Sequence, residues 1–500
     1  MRTGRKLWKI MIATLLLVPL FAGGISAFAD TTPPPTTTDV TVHKRVFEVE
    51  MPEVKVNTGL EDATFGGTPL AGAGFTVYDV TAAYHAAIVG KTQAEAIDAV
   101  LALHNATPPT VFPVAKAEQL TVDPGGKTTF TGLPLISGNK DAAYLFVETT
   151  TPDSPTIIKK AAPFILAMPI YTAMGSAGQL NTDIHVYPKN VSAENIKEMT
   201  NVDVFGSVTI NGKEYPNVQI GDVLSYKLTI QIPTNIGTRT SFVIKDTPGA
   251  GMAVADPENL VVTGLTSPTD YTVTISPTRN ELTINLVPGS ANVKALAGHA
   301  LVITYDMVLT EDAVPDTIIE NNASIIINGT TTTKVTPPPG VVTGGKQFIK
   351  KDGQTDKALE NAKFKAYREI EEGMEWATFT VNALGVNAFA GWVTDEADAT
   401  EVTSAADGVI KITGLTQGTY FLKETVTPDG YVLLDEPQEF TVVYGGYGET
   451  EQLRQPILNV PKGLLPATGG TGIYAFLAIG SMMMLGAYIW FKRSKEQAEV

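Results

Sequence analysis

The chain has 500 residues and carries 52 acidic against 36 basic side chains, a formal charge of -16; this argues against nucleic acid as a partner, because neutralising phosphates needs a basic footprint. With no cysteine and only five scattered histidines, neither a cysteine nucleophile, a zinc site nor any other metal site or cofactor is expected. No glycine-rich phosphate loop and no Ser/His/Asp pattern occurs either, so a surface hydrolase has almost nothing in its favour.

The N-terminus opens with Arg2, Arg5, Lys6 and Lys9, continues through an apolar run from Ile10 to Phe21 and reaches small residues at Ala27-Phe28-Ala29. This pattern is a secretory signal peptide over 1–29 with cleavage before Asp30. The apolar run is too short to span the roughly 30 Å of bilayer hydrocarbon. A Thr/Pro-rich linker, Thr31 to Thr38, follows, and a second, Thr336-Pro337-Pro338-Pro339-Gly340, divides the remainder. The expected domains are 30–190, 191–338 and 339–462, with a terminal segment at 463–500.

Alternating apolar and polar residues dominate, as in Leu224 to Ile230 and Ala300 to Tyr305, and Gly, Pro and Asn turns separate such stretches. They predict an all-β chain of tandem β-sandwiches. One stretch, about Thr92 to His104, has helical spacing at Ala94, Ile97, Val100 and Leu101 and reads as a packed insertion in the first domain.

The first and last domains share a long spaced pattern. Leu70 to Tyr78 and Leu359 to Tyr367 both read L-x-x-A-x-F-x-x-Y; Gly126 to Leu133 and Gly408 to Leu415 read G-x-x-x-x-T-G-L; Tyr144 to Asp153 and Tyr420 to Asp429 read Y-x-x-x-E-T-x-T-P-D. Two copies of one strand scaffold thus flank a different middle domain. Alternation puts Glu148 and Glu424 on the same face as the apolar residues of their strands, so each is expected buried and either paired or neutral.

Near the C-terminus, Ile473 to Phe491 is apolar and long enough to form a transmembrane helix, and Lys492, Arg493 and Lys495 follow it, which keeps the body of the chain outside. Leu465-Pro466-Ala467-Thr468-Gly469 precedes this helix and resembles the LPxTG motif read by sortase transpeptidases. The resemblance implies attack by a sortase cysteine on the Thr468 carbonyl, cleavage before Gly469 and anchoring at the peptidoglycan of a bacterial cell wall. A glycosyl-lipid anchor is the competing reading of such a tail, though a basic end is unusual for one.

The segment Tyr420 to Tyr431 resembles the E-box of Cna-B-type Ig-like domains, in which a lysine amine attacks an asparagine side chain, a buried acid polarises it and ammonia leaves as an isopeptide bond forms. Ile184 to Asn190, Ile-His-Val-Tyr-Pro-Lys-Asn, is similar to the motif at the end of the first domain of Gram-positive backbone pilins. Between its signal peptide and sorting signal the chain resembles a sortase-assembled major pilin. That resemblance makes Lys189 the acceptor that joins Thr468 of the next subunit. It further implies internal bonds between Lys350 and Asn459 with Glu424 as the acid, Lys197 and Asn321 with Asp246, and Lys44 and Asn190 with Glu148. Asn322 competes with Asn321, because alternation puts neighbours on opposite faces. Some pilins of this kind lack the bond in the first domain.

The expected function is a structural shaft subunit of a surface pilus rather than an enzyme. Its expected partners are a pilus-specific sortase, identical subunits head to tail, accessory pilins, peptidoglycan and host surface or matrix molecules. The alternative is a monomeric wall-anchored adhesin that binds a host glycoprotein.

Overall fold

The computed structural model describes residues 35–48, 50–53, 55, 57–172, 178–448, 450–463 and 472–497. The signal peptide and the sorting pentapeptide Leu465 to Gly469 lie outside the described residues. The described residues form two compact units, the first drawn from 35–206, 223–309 and 319–341 and the second from 207–222, 310–318 and 342–497.

In the first unit, strand Thr37–His43 runs parallel to Asp183–Val186 and antiparallel to Lys127–Pro134. After a break at Lys44 the chain resumes as Arg45–Glu48, which runs parallel to Lys189–Ser192. Strand Ala143–Thr150 is buried on both faces near its start. Its Tyr144 and Phe146 join a core with Val40, Val42, Phe75 and Val186, while Ala143 and Leu145 face a second cluster supplied by two helices. These are Thr81–Ala87 and Gln93–His104. The second is started by a capping box in which Thr92 and Glu95 satisfy each other's backbone. It buries Ala96, Ile97, Val100 and Leu101; Ala96 takes the buried place expected of Ala94, which is only half-buried, so the helix sits turned slightly from the predicted face.

The same unit contains the alternating strands Val223–Gln231 and Ala300–Leu309, paired antiparallel with Tyr226 opposite Tyr305. Strand Ile196–Met199 lies beside the former, with Lys197 opposite Leu228. In a facing sheet, Phe242–Pro248 pairs with Asn321–Ile327, both alternating between buried and exposed. The two alternations interlock as sandwich faces do.

In the second unit, strand Gly344–Asp352 runs antiparallel to Val409–Leu415 and parallel to the late strand Gln455–Asn459. Strand Gly418–Val426 pairs with Lys363–Ile370. The C-terminal helix Gly472–Gln497 has 26 residues and a backbone about 39 Å long. Among the described residues no helix is long and apolar enough to cross a membrane; side chains of this helix are described only between 477 and 490, so the span expected over Ile473 to Phe491 reaches beyond them at both ends.

Candidate functional sites

Among the described residues, three lysines are buried as completely as core leucines. Lys44 and Lys350 are 0% exposed and Lys197 is 2% exposed. Each stands in or beside the first strand of its sheet and meets a buried acid, beside which a buried asparagine lies.

Lys44 Nζ donates to Glu148 Oε2 at 2.8 Å and to Asn190 Oδ1 at 2.5 Å. Asn190 Nδ2 donates to Glu148 Oε1 at 2.9 Å, so the acid spans the attacking amine and the amide nitrogen that would leave. The Ala161 backbone N–H donates to Asn190 Oδ1 at 2.7 Å, a donor aimed at the oxygen where negative charge would develop during attack. Burial lowers the Lys44 amine to about 8 against the pull of Glu148.

Around Lys350 the same groups meet with a different spacing. Its Nζ is 3.3 Å from Glu424 Oε1, without the alignment of a hydrogen bond. Asn459 Nδ2 donates to Glu424 Oε2 at 3.0 Å, to Thr427 Oγ1 at 2.7 Å and to the Val432 carbonyl at 2.6 Å. Its Oδ1 has no hydrogen-bond partner. An amide turned by its nitrogen towards the acid, with its carbonyl unengaged and an amine beside the same acid, is arranged for acyl transfer. Burial lowers the Lys350 amine here too.

At the third site Lys197 Nζ donates to Asp246 Oδ2 at 2.5 Å, and the Tyr305 hydroxyl donates to the same oxygen at 2.5 Å. Burial raises Asp246 and lowers Lys197 to about 8. Asn321 is 1% exposed and lies close enough to Asp246 and Tyr226 to affect both, yet its amide atoms satisfy hydrogen-bond geometry with neither. Asn322 is exposed and turns to Glu320 Oε2 at 3.5 Å.

The shared sequence pattern acquires a meaning at these sites. Phe75 pairs across the strands with Glu148, and Phe364 with Glu424. The amine of Lys44 lies over Phe75 at 5.4 Å and that of Lys350 over Phe364 at 5.5 Å. The lysine backbone is held identically in the two copies. Lys44 and Lys350 N–H each donate to the carbonyl of the pattern glycine, Gly126 or Gly408, at 2.8 Å, and their carbonyls accept from the pattern leucine, Leu70 at 3.1 Å or Leu359 at 2.9 Å. Sequence reasoning registered these residues as a repeat without seeing that they form a lysine cradle. In the middle site Tyr226 and Tyr305 replace the phenylalanine, 4.9 and 5.9 Å from Lys197 Nζ.

Lys189, one residue before Asn190, is not part of a triad. It is half-buried, its Nζ lies 5.3 Å over the Phe65 ring, and burial lowers its amine. Phe65 stacks on Tyr187 at 4.3 Å, and Tyr187 stacks on His43 at 4.6 Å. The structure thus gathers Lys44, Glu148 and Asn190, sets Lys350 and Asn459 against Glu424 and joins Lys197 to Asp246 with Asn321 nearby; Lys189 stands apart, Asn322 faces outward, and Leu465, Pro466, Ala467, Thr468 and Gly469 lie outside the described residues.

Three family models match in chain order: the Gram-positive pilin subunit D1, N-terminal domain over 35–191, a prealbumin-like fold domain over 344–454 and the LPXTG cell wall anchor motif over 459–499. The chain is 25% identical to fimbrial subunit type 2 of Actinomyces naeslundii over 469 residues, which covers 84% of this chain and 82% of the relative. It is 24% identical to fimbrial subunit type 1 of Actinomyces viscosus over 524 aligned positions, covering 93% and 92%. Its fold is similar to that of the full-length RrgB pilus protein of Streptococcus pneumoniae, with a TM-score of 0.50 and 18% identity over 87% of this chain and 99% of that one. Domain models, relatives that span most of the length and the pilin fold agree: the chain belongs to the sortase-assembled major pilins of Gram-positive bacteria, shaft subunits of a pilus anchored at the cell wall.

Proposed function

We propose that this shaft subunit is joined covalently at two levels. Between subunits, the Lys189 amine displaces the sortase cysteine from Thr468 of its neighbour. Within each subunit, Lys44 bonds Asn190, Lys197 bonds Asn321 and Lys350 bonds Asn459, in domains spanning 30–190, 191–338 and 339–462.

The observation that carries the internal chemistry is the recurrence of a buried lysine, acid and asparagine at three sites. Burial favours the uncharged forms of amine and carboxyl, which are the forms that react. The neutral Nζ attacks the asparagine Cγ, and the N–C bond forms as the carbonyl electrons move onto Oδ1. The acid, Glu148, Asp246 or Glu424, protonates Nδ2, takes a proton from the attacking nitrogen, and the Cγ–Nδ2 bond breaks to release ammonia. Protons balance, and the acid ends as it began. Each acid acts once, so the chain is a substrate of its own chemistry and of a sortase rather than a turnover enzyme. The pilus-specific sortase, accessory pilins and peptidoglycan are the partners this reading requires.

The test is co-expression with the cognate sortase followed by boiling in SDS. A ladder of high-mass species is expected, and it disappears in Lys189→Ala. A single band of monomer mass from the wild-type chain overturns the intersubunit linkage. The intact mass of the chain, separately, is expected to be lower than its sequence mass by three ammonias.

A further inference from the structure

The histidines look scattered in sequence, but parallel pairing of Thr37–His43 with Asp183–Val186 unites two of them. His43 Nε2 lies 2.8 Å from His185 Nδ1. A carboxylate oxygen of Glu61 completes a set of three ligand atoms that all lie within 4.8 Å of one another, the one such group among the described residues. His43 is 3% exposed, so its ring is fixed by the core and by stacking on Tyr187.

The other nitrogen of His185, Nε2, faces Asp183 Oδ2 at 3.3 Å. A proton held there by the carboxylate leaves Nδ1 with its lone pair turned towards His43, the tautomer control that outer-sphere carboxylates exert on metal-binding histidines. Glu61, Asp183 and His185, with Thr41 and Lys127, line an open cavity of 410 Å³, so there is space for an ion and its water. Two histidines on a tetrahedral zinc, bound at roughly 2.0–2.1 Å, stand about 3.3 Å apart. The rings therefore need to separate by only about half an ångström. Glu61 at present faces Lys127 at 3.8 Å, an exposed pair of the kind worth little in water.

We propose that His43 Nε2, His185 Nδ1 and the Glu61 carboxylate bind one divalent transition-metal ion, with zinc as the best match, and that water fills the fourth position. The hydrogen now shared between the two imidazoles moves to His43 Nδ1 as the ion enters. Binding ties the segment 57–67 to the strand that leads into Lys189, because Glu61 and Phe65 both belong to that segment and Phe65 lies against Tyr187 and the Lys189 amine. The ion thereby holds the cover over Lys189 in place. This consequence rests on Lys189 being the linkage lysine; the metal binding does not.

The test uses the full chain in detergent, stripped with a chelator and titrated calorimetrically with zinc chloride. One ion per chain is expected. Glu61→Gln, at the surface and harmless to the core, and His185→Gln are each expected to weaken binding by more than tenfold, and Asp183→Asn by about tenfold. Binding that is unchanged in Glu61→Gln and His185→Gln overturns the proposal, because the ion then sits on other carboxylates. Absence of binding by the wild-type chain overturns it as well. None of these readouts depends on polymerisation, so a failure here is distinct from a failure of the linkage at Lys189.

Discussion

Lys350 and Glu424 illustrate what burial does to single residues. Removing two charges from water costs several kcal/mol per ion, and their attraction seldom returns more than that. A bond between Lys350 and Asn459 relieves the difficulty permanently, since an amide has no charge to solvate. Replacing Glu424 with Ala is therefore expected to leave both partners intact, and the mass of the variant should exceed that of the bonded chain by one ammonia beyond the substitution itself. A variant that still shows the bonded mass would remove Glu424 from the chemistry. The middle site makes a pH prediction in an Asn321→Ala chain, which cannot form its bond. Lys197 titrates at about 8 when folded and at 10.5 when free. Between those values the unfolded chain holds more protons than the folded one, so stability rises with pH across this window and the gain is complete above 10.5. The gain amounts to at most about 3 kcal/mol. Asp246, raised by burial, acts oppositely, its contribution being lost as pH rises through its folded value. Urea midpoints at two pH values on either side of 8.5 measure the effect, and a midpoint that falls with pH would contradict it.

At the level of elements, the lysine cradle depends on a glycine that no other residue replaces easily. Gly408 has φ of +74°, and an added Cβ would lie 2.5 Å from the Lys350 carbonyl oxygen. Gly408→Ala is expected to destabilise the domain by about 1–3 kcal/mol through backbone strain. It should also slow bond formation, read as slower loss of ammonia after refolding, because Lys350 hangs from that hydrogen bond. The parallel pairing of Gly344–Asp352 with Gln455–Asn459 brings the two chain ends of the sheet side by side. A bond there closes a loop of about 110 residues, which the chain-entropy account of crosslinks values at about 4–5 kcal/mol. Asn459→Ala should lose about that much by chemical denaturation, and a loss under 1 kcal/mol would argue that no bond forms.

Across the whole molecule, the two proposed bonds that lie between Lys189 and Thr468, Lys197 to Asn321 and Lys350 to Asn459, would set the path that force takes. Under the proposed linkages, tension entering at Lys189 and leaving at Thr468 would cross the last domain through Lys350 and Asn459, and the strands between them would bear none of it. Single-molecule stretching of the wild-type chain is expected to show no extension from that domain. The Glu424→Ala chain should release the roughly 110 residues between the two positions, about 360–390 Å of contour at 3.3–3.6 Å per residue. Equal extension in both chains would mean that the load does not pass through the bond.

Much of this was legible in the sequence, for reasons that differ between residues. Alternation at Tyr144 to Glu148 and Tyr420 to Glu424 places the acids inside because side-chain direction in a strand has a period of two. Resemblance of Ile184 to Asn190 to the pilin motif, and of the last domain to Cna-B-type domains, named Lys189, Lys350 and Asn459. What no local pattern carries is register between distant strands. Pairing across 142 residues decides that His43 touches His185, and alternation alone could not choose between Asn321 and Asn322, whereas the register of Asn321–Ile327 with Phe242–Pro248 puts Asn321 on the buried face that carries Asp246. The sequence determined which groups are present and which face of a strand they occupy; tertiary structure decided which of them meet, since contact between distant segments is set by the packing of whole sheets.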